Sequence, residues 1–314
     1  MNHIPEQYAK CAKMVQHFMT LTDEQWGRLG EGFHWPTHVV LHATAACQLD
    51  CIHCTYKHRD KTQKLPVTAL ARLVDDCAAR GTVAMEHSGG EPTLYPQFEE
   101  LAQLIHQRGM DQGLLTNGLR LPTLSDKTLE SLTWIRVSLD AYGVGTPVPD
   151  LAVPEQVYVS ASYIWNEETT DAMFEQAMAW CERNGCECRV VPDVRLPLTS
   201  PERRDAAKAV ARYELASLVD RDVERRPPAA CLTPWFKPMV AWDGWVYPCC
   251  YGTTYDWRRD VQKQYRVCRI DEFVTYFEDT PIHDLGHRCT NCLGWEENNI
   301  VAAATTPIQH GRFL

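Results

Sequence analysis

Three cysteines, Cys47, Cys51 and Cys54, stand in the stretch ACQLDCIHC, with three residues in the first gap and two in the second. Thiolates are soft ligands that suit zinc or an iron–sulfur cluster, and both kinds of site usually take four protein ligands. The local count stops at three. A loop of this spacing can wrap one corner of a [4Fe–4S] cube and ligate three of its irons, which leaves the fourth open to an external ligand. A redox CxxC pair would account for Cys51 and Cys54 but not for Cys47. Attachment of a c-type haem would need His where Thr55 stands.

A second group lies far downstream. Cys231 is followed by Gly244, five residues before Cys249, and then by the CxxC pair Cys289 and Cys292. Four cysteines can hold a cluster or a structural zinc with four thiolate ligands, and spacing alone leaves both open. Cys250 and Cys268 are left over, and Cys11, Cys77, Cys181, Cys186 and Cys188 are scattered as small core residues would be. Fourteen cysteines arranged in clusters indicate metal binding in a reducing compartment rather than a disulfide framework. The formal net charge of −10 disfavours nucleic acid as a main partner. The N-terminus lacks the pattern of a signal peptide, and no run is long enough to span a membrane. A cytoplasmic enzyme is the expectation.

These groups need elements to position them. THVVLHATA (37–45) is a buried strand that runs directly into the cysteine loop. A helix from Pro66 to Gly81 follows, then TVAMEHSGGEP as a second strand entering a glycine turn, and a helix stopped by Gly109. DQGLLTNG, WIRVSLDA, QVYVSASYI and ECRVVPDVRL read as strands three to six. Helices are expected at SDKTLESL and at 167–185, whereas a Gly/Pro-rich connection occupies 142–154. A further helix is expected over 199–216. The alternation predicts an α/β fold, a partial, TIM-like (β/α)6 barrel with its sites at the C-terminal strand ends. Beyond RRPPAA the character changes to aromatics, a hairpin at VAWDGWVYPCC and a helix near IDEFVTYFED. We expect a helical extension over 1–36, the barrel over 37–226 and a small cysteine-bearing domain over 227–314.

The cysteine loop after strand one, together with SGGEP after strand two, resembles the radical S-adenosylmethionine (radical SAM) superfamily over residues 37 to about 195. The resemblance implies a [4Fe–4S] cluster on Cys47, Cys51 and Cys54, with SAM itself as the missing fourth ligand. It further implies SAM contacts from Gly89, Gly90 and Glu91, the last accepting from the SAM ammonium. Thr116, Asn117, Ser138 and Asp140 fall where the family contacts SAM, including its ribose, and Arg195 could pair with the SAM carboxylate. His53 departs from the family, which often has an aromatic residue there. The downstream cysteines resemble the twitch domain, a shortened relative of the SPASM domain, which implies a second [4Fe–4S] cluster on Cys231, Cys249, Cys289 and Cys292.

Such an enzyme would cleave SAM reductively to a 5′-deoxyadenosyl radical and take hydrogen from its substrate, with an external one-electron donor such as flavodoxin or ferredoxin. The outcome would be oxidation, or epimerisation with Cys250 or Cys268 as thiol hydrogen donor. The short run ahead of the first strand favours a small polar metabolite of sugar or aminocyclitol type over a ribosomal peptide or protein substrate. A metal-holding scaffold without catalysis is the competing class. It differs in predicting no SAM cleavage.

Overall fold

The computed structural model of the chain describes residues 35–146, 148–149, 151–221, 226, 231–250, 265–280, 292, 295 and 298–299. The helical extension expected over 1–36 therefore lies outside the described residues, save Trp35 and Pro36, as does Cys289.

Nine strands form one sheet among the described residues. In chain order they are β1 (His38–Leu41), β2 (Ala84–His87), β3 (Asp111–Thr116), β4 (Trp134–Ser138), β5 (Tyr158–Trp165), β6 (Cys188–Pro192), β7 (Ala216–Leu218), β8 (Met239–Val240) and β9 (Val246–Tyr247). Their spatial order is β7-β6-β5-β4-β3-β2-β1-β8-β9. All pairings from β7 across to β8 are parallel, and only β8–β9 is antiparallel. The sheet stays open, as a partial barrel requires.

The crossover helices are α1 (Val67–Ala79), α2 (Phe98–Gln107), the short α3 (Asp126–Glu130), α4 (Asp171–Asn184) and α5 (Pro201–Val210); α6 (Phe273–Asp279) comes last. Capping follows the sequence. Thr170 and Ser200 accept hydrogen bonds from the Met173 and Arg203 amides, so α4 and α5 each begin where a side-chain oxygen satisfies a free N–H. No helix is assigned among the described residues of 142–157, where the Gly/Pro-rich connection stands.

Two expectations change. The helix expected over 199–216 ends at Val210, and Ala216–Leu218 instead pairs with Cys188–Val190 as a seventh parallel strand. The hairpin expected within the C-terminal part does form, but it extends the barrel sheet: Val40 and Leu41 pair with Met239 and Val240.

Strand alternation divides the interior in two. Val39, Leu41, Met85, Leu114, Ile135, Val137, Ala161 and Val190 face the helices and form the main apolar core. The opposite face is the barrel lumen, where Val40, Met239, Ala241, Tyr247 and Tyr265 make a smaller apolar cluster on the hairpin side. The aromatics near the C-terminal part mostly pack: Trp235 is fully buried against Tyr276 and Phe277, and Trp35 packs on Phe273 and Phe277.

Candidate active site

The cysteine loop leaves the C-terminal end of β1 and returns to it. Ala45 N donates to Gln63 O, and Leu65 N donates to Ala43 O, so the loop closes on itself beside the strand. Cys47, Cys51 and Cys54 are all partly exposed and none is in a disulfide. Polar donors approach two of the sulfurs. Arg59 Nη1 lies 3.5 Å from Cys54 Sγ, and Asn117 Nδ2 lies 4.0 Å from Cys47 Sγ. Burial, chiefly, raises the Cys47 thiol above its ordinary value, with the Arg59 charge pulling the other way. Among the described residues, no three His, Cys, Asp or Glu side chains converge to hold a single metal ion. That does not conflict with a cube, whose thiolates each bind a different iron and stand apart. The donor set fits such a group: three thiols outside any disulfide, with a cation and an amide turned toward them.

The SGGEP turn packs directly on this loop. Glu91 N donates to Ala46 O at 2.6 Å and Gly90 N to Thr44 O at 3.1 Å. A Cβ on Gly90 would fall 2.2 Å from Ala46 O and 2.7 Å from the Ala45 carbonyl carbon, so only glycine fits. Gly89 has φ +111°, and a Cβ there would meet His42 Cβ at 2.9 Å.

Glu91 is 1% exposed and ties three strand tips together. Its Oε1 accepts from Thr93 Oγ1 (2.6 Å), Thr93 N (3.2 Å) and Thr116 Oγ1 (2.7 Å), and its Oε2 accepts from Asn117 N (2.8 Å). Thr116 Oγ1 also accepts from Gly118 N. Asn117 Oδ1 in turn accepts from Gln48 Nε2 at 3.3 Å, within the cysteine loop. Five predicted residues (Gly89, Gly90, Glu91, Thr116 and Asn117) thus meet at one place. Most of Glu91's acceptor capacity is internal, which leaves one position on Oε2.

Asp140 is engaged within the protein. Its side chain is 2% exposed, accepts from Ile164 N at 3.1 Å, and stands 2.8 Å from His53 Nε2. Burial disfavours the charged imidazole, but the Asp140 carboxylate outweighs it and raises His53 to about 10. The residue that departs from the aromatic pattern is therefore an ion-pair strut from the cysteine loop to β4. Ser138 Oγ lies 3.5 Å from Ser162 Oγ and remains partly exposed. Arg195 is ion-paired with Asp193, whose carboxylate is the main cause of its raised pKa, with Cys54 a smaller one.

In the downstream group, Cys231, Cys249 and Cys292 are partly exposed thiols. Cys250 packs against the lumen-side apolar cluster, whereas Cys268 belongs to the helix-side core and is pushed to about 12 by burial, with Glu272 and Asp271 adding to it. Cys77, Cys181, Cys186 and Cys188 are buried, as small core residues should be.

Sequence reasoning passed over His42 and Arg59, whereas Trp242 belongs to the C-terminal aromatics that could line a pocket or pack a small domain. His42 is 1% exposed at the end of β1 and stacks on Trp242 at 5.6 Å. Its only signal was a polar residue inside an apolar run.

An open parallel α/β barrel with a three-cysteine loop and a glycine–glutamate turn at its strand tips defines a narrow class. Residues 41–143 match the model of the Radical SAM superfamily, and this part of the chain is a radical SAM domain. The superfamily implies a [4Fe–4S] cluster and SAM. Fe-coproporphyrin III synthase of Methanosarcina barkeri is 34% identical over 106 residues, which cover 32% of this chain and 27% of that protein. PqqA peptide cyclase of Ruegeria pomeroyi is 30% identical over 119 residues, 37% of this chain and 31% of the relative. The chain thus spans less than a third of the length of these curated relatives. The crystal structure of Streptococcus suis SuiB bound to S-adenosylmethionine superposes with a TM-score of 0.55 at 13% identity, over 88% of this chain and 77% of that one, a likeness of fold.

Proposed function

We propose that the chain is a radical SAM enzyme acting on a small polar metabolite, with Cys47, Cys51 and Cys54 holding its cluster. The observation that carries this reading is the Glu91 network, which joins the SGGEP turn, the Thr116–Asn117 strand tip and the cysteine loop into one unit. When bound, the cluster supplies the electron for reductive cleavage of SAM.

The chain's own residues set the stage. Arg59 offsets negative charge at Cys54, and His53 on Asp140 holds the loop against β4. Gly89 and Gly90 let the turn seat closely on His42 and the cysteine-loop backbone, and the remaining acceptor position of Glu91 suits an ammonium. Thr116 acts through Glu91, and Asp140 through His53. Ser138 is left as the hydroxyl free to meet SAM. Arg195 would share a SAM carboxylate with Asp193.

The outcome is oxidation of the substrate or its epimerisation. For the latter, Cys250 is the better hydrogen donor because it borders the lumen while Cys268 does not. Cys231, Cys249, Cys289 and Cys292 are proposed to hold a second [4Fe–4S] cluster in preference to zinc. An external donor such as flavodoxin or ferredoxin would supply electrons. The polar lumen lining of Arg136, Ser138, Ser160 and Ser162 supports a small polar substrate. A peptide substrate is the alternative, favoured by the match to PqqA peptide cyclase. No helix among the described residues is long and apolar enough to cross a membrane, in keeping with the cytoplasmic reading.

The test is Cys51→Ala in anaerobically reconstituted protein with SAM and a reductant. Formation of 5′-deoxyadenosine should vanish, and iron should fall by about four per chain. Undiminished 5′-deoxyadenosine would contradict the assignment.

A further inference from the structure

One guanidinium in the barrel lumen is held in place with its fork unused. Arg136 is the middle residue of β4, and its neighbours Ile135 and Val137 both face the helix-side core, so Arg136 faces the lumen. Its Nε donates to Ser160 Oγ at 3.3 Å on the paired strand β5. Its guanidinium lies 5.4 Å from the ring of Trp134. Trp134 in turn lies over Gly113, where a Cβ would fall 2.1 Å from the indole, so the ring has a fitted seat. Two contacts therefore orient the side chain, while its two terminal amines find no hydrogen-bond partner among the described residues.

The carboxylates facing this space are engaged, and the Arg136 charge is one of those that act on Glu86. Glu86 accepts from Lys237 at 2.9 Å and stands 3.8 Å from His38, and Asp140 is paired with His53. Arg189 also faces the lumen, because Cys188 and Val190 lie in the helix-side core.

A second, independent observation lies on the same rung. Leu41 pairs with His87, His87 with Leu114, and Leu114 with Ile135. The next residues along the outer two strands of this series are His42 and Arg136. His42 is buried, and both its ring nitrogens lack a hydrogen-bond partner among the described residues. A buried imidazole without a partner is costly, and a ligand on this rung would satisfy it. The rung lies two residues below Ser138, about 7 Å at the rise of a parallel strand.

We propose that this rung is the subsite for an anionic group of the substrate, a carboxylate or a phosphate. Arg136 takes the anion through its paired terminal amines, the geometry in which a guanidinium fork matches two oxygens. His42 gives a hydrogen bond from across the lumen. The inference deepens the proposed function and rests on it for calling the bound anion a substrate.

The test is phenylglyoxal modification of the full chain, anaerobically reconstituted, with modification read residue by residue by mass spectrometry. Inorganic phosphate and succinate are the probes, each titrated to saturation, and exposed Arg72 is the reference. At about ten times its Kd, a bound anion should slow modification of Arg136 about tenfold and leave Arg72 unchanged. Protection by phosphate alone assigns a phosphate, and by succinate alone a carboxylate. His42→Phe keeps a ring against Trp242 but removes the nitrogens, and should weaken the protection severalfold. No protection at Arg136, or equal slowing at Arg72, would overturn the proposal, and undiminished protection in His42→Phe would overturn the two-sided site. SAM binding is followed by equilibrium dialysis in the same preparation. Protection without SAM binding would count against the proposed function and leave the anion subsite standing.

Discussion

Glu86 shows how this barrel keeps charge in its interior. Burial alone would raise its carboxyl, but the Lys237 ammonium and then His38 outweigh that and hold it at about 2. His38 itself is pushed down to about 3, first by burial and then by Lys237, against the pull of Glu86. Both folded-state values lie below the ordinary ones. Their contribution is thus fully present above about pH 6.5 and is lost as pH falls, through His38 from 6.5 toward 3 and through Glu86 from 4.5 toward 2. The urea midpoint should decline steadily over that window, and Glu86→Gln should flatten its lower part. The same change should cost about 1–2 kcal/mol near neutral pH, less than a fully buried pair because Lys237 is partly exposed. A midpoint that is flat from pH 4.5 to 2 would refute the pairing, and one flat from pH 6.5 to 4.5 would refute the buried neutral His38. At this scale the sequence is legible only where chemistry is local. Cys47, Cys51 and Cys54 sit within eight residues of one another, whereas Glu86 and Lys237 are 151 residues apart and meet only through the fold.

Elements were easier to read, because alternation of strand and helix is a local signal. The order of β1 to β6 follows the sequence strand by strand. What escaped was pairing between distant segments. The β8–β9 hairpin looked like part of a separate module since nothing in its composition reveals that β1 has a free edge for it. In the same way, Ala216–Leu218 extends a helical-looking run, yet gains a ladder partner in β6. The SGGEP turn was readable as glycine-rich, but not its clearance from the cysteine loop. Gly90→Ala tests that clearance. Because the obstructing atoms are backbone, the turn must shift, at a cost of about 1–3 kcal/mol for forced overpacking. We expect a lower melting temperature and a loss of SAM affinity together. A variant with wild-type melting and SAM binding would show that the turn and the loop are not so closely fitted.

Across the whole molecule, the overall acidity and the lumen point in opposite directions. The formal charge is −10, yet the lumen wall carries the cationic side chains Arg136, Arg189 and Lys237 alongside Glu86 and Asp140. Composition reports the surface more than the chamber, so a sum over the chain hid the substrate-facing charge. The central claim is that two groups of cysteines hold iron, one of them at the strand tips of a radical SAM domain. Iron per chain after anaerobic reconstitution tests it most directly, measured in the wild type and in the variant with Cys47, Cys51 and Cys54 all changed to Ala. The account predicts about eight irons in the first and about four in the second. Equal iron in the two proteins would contradict it.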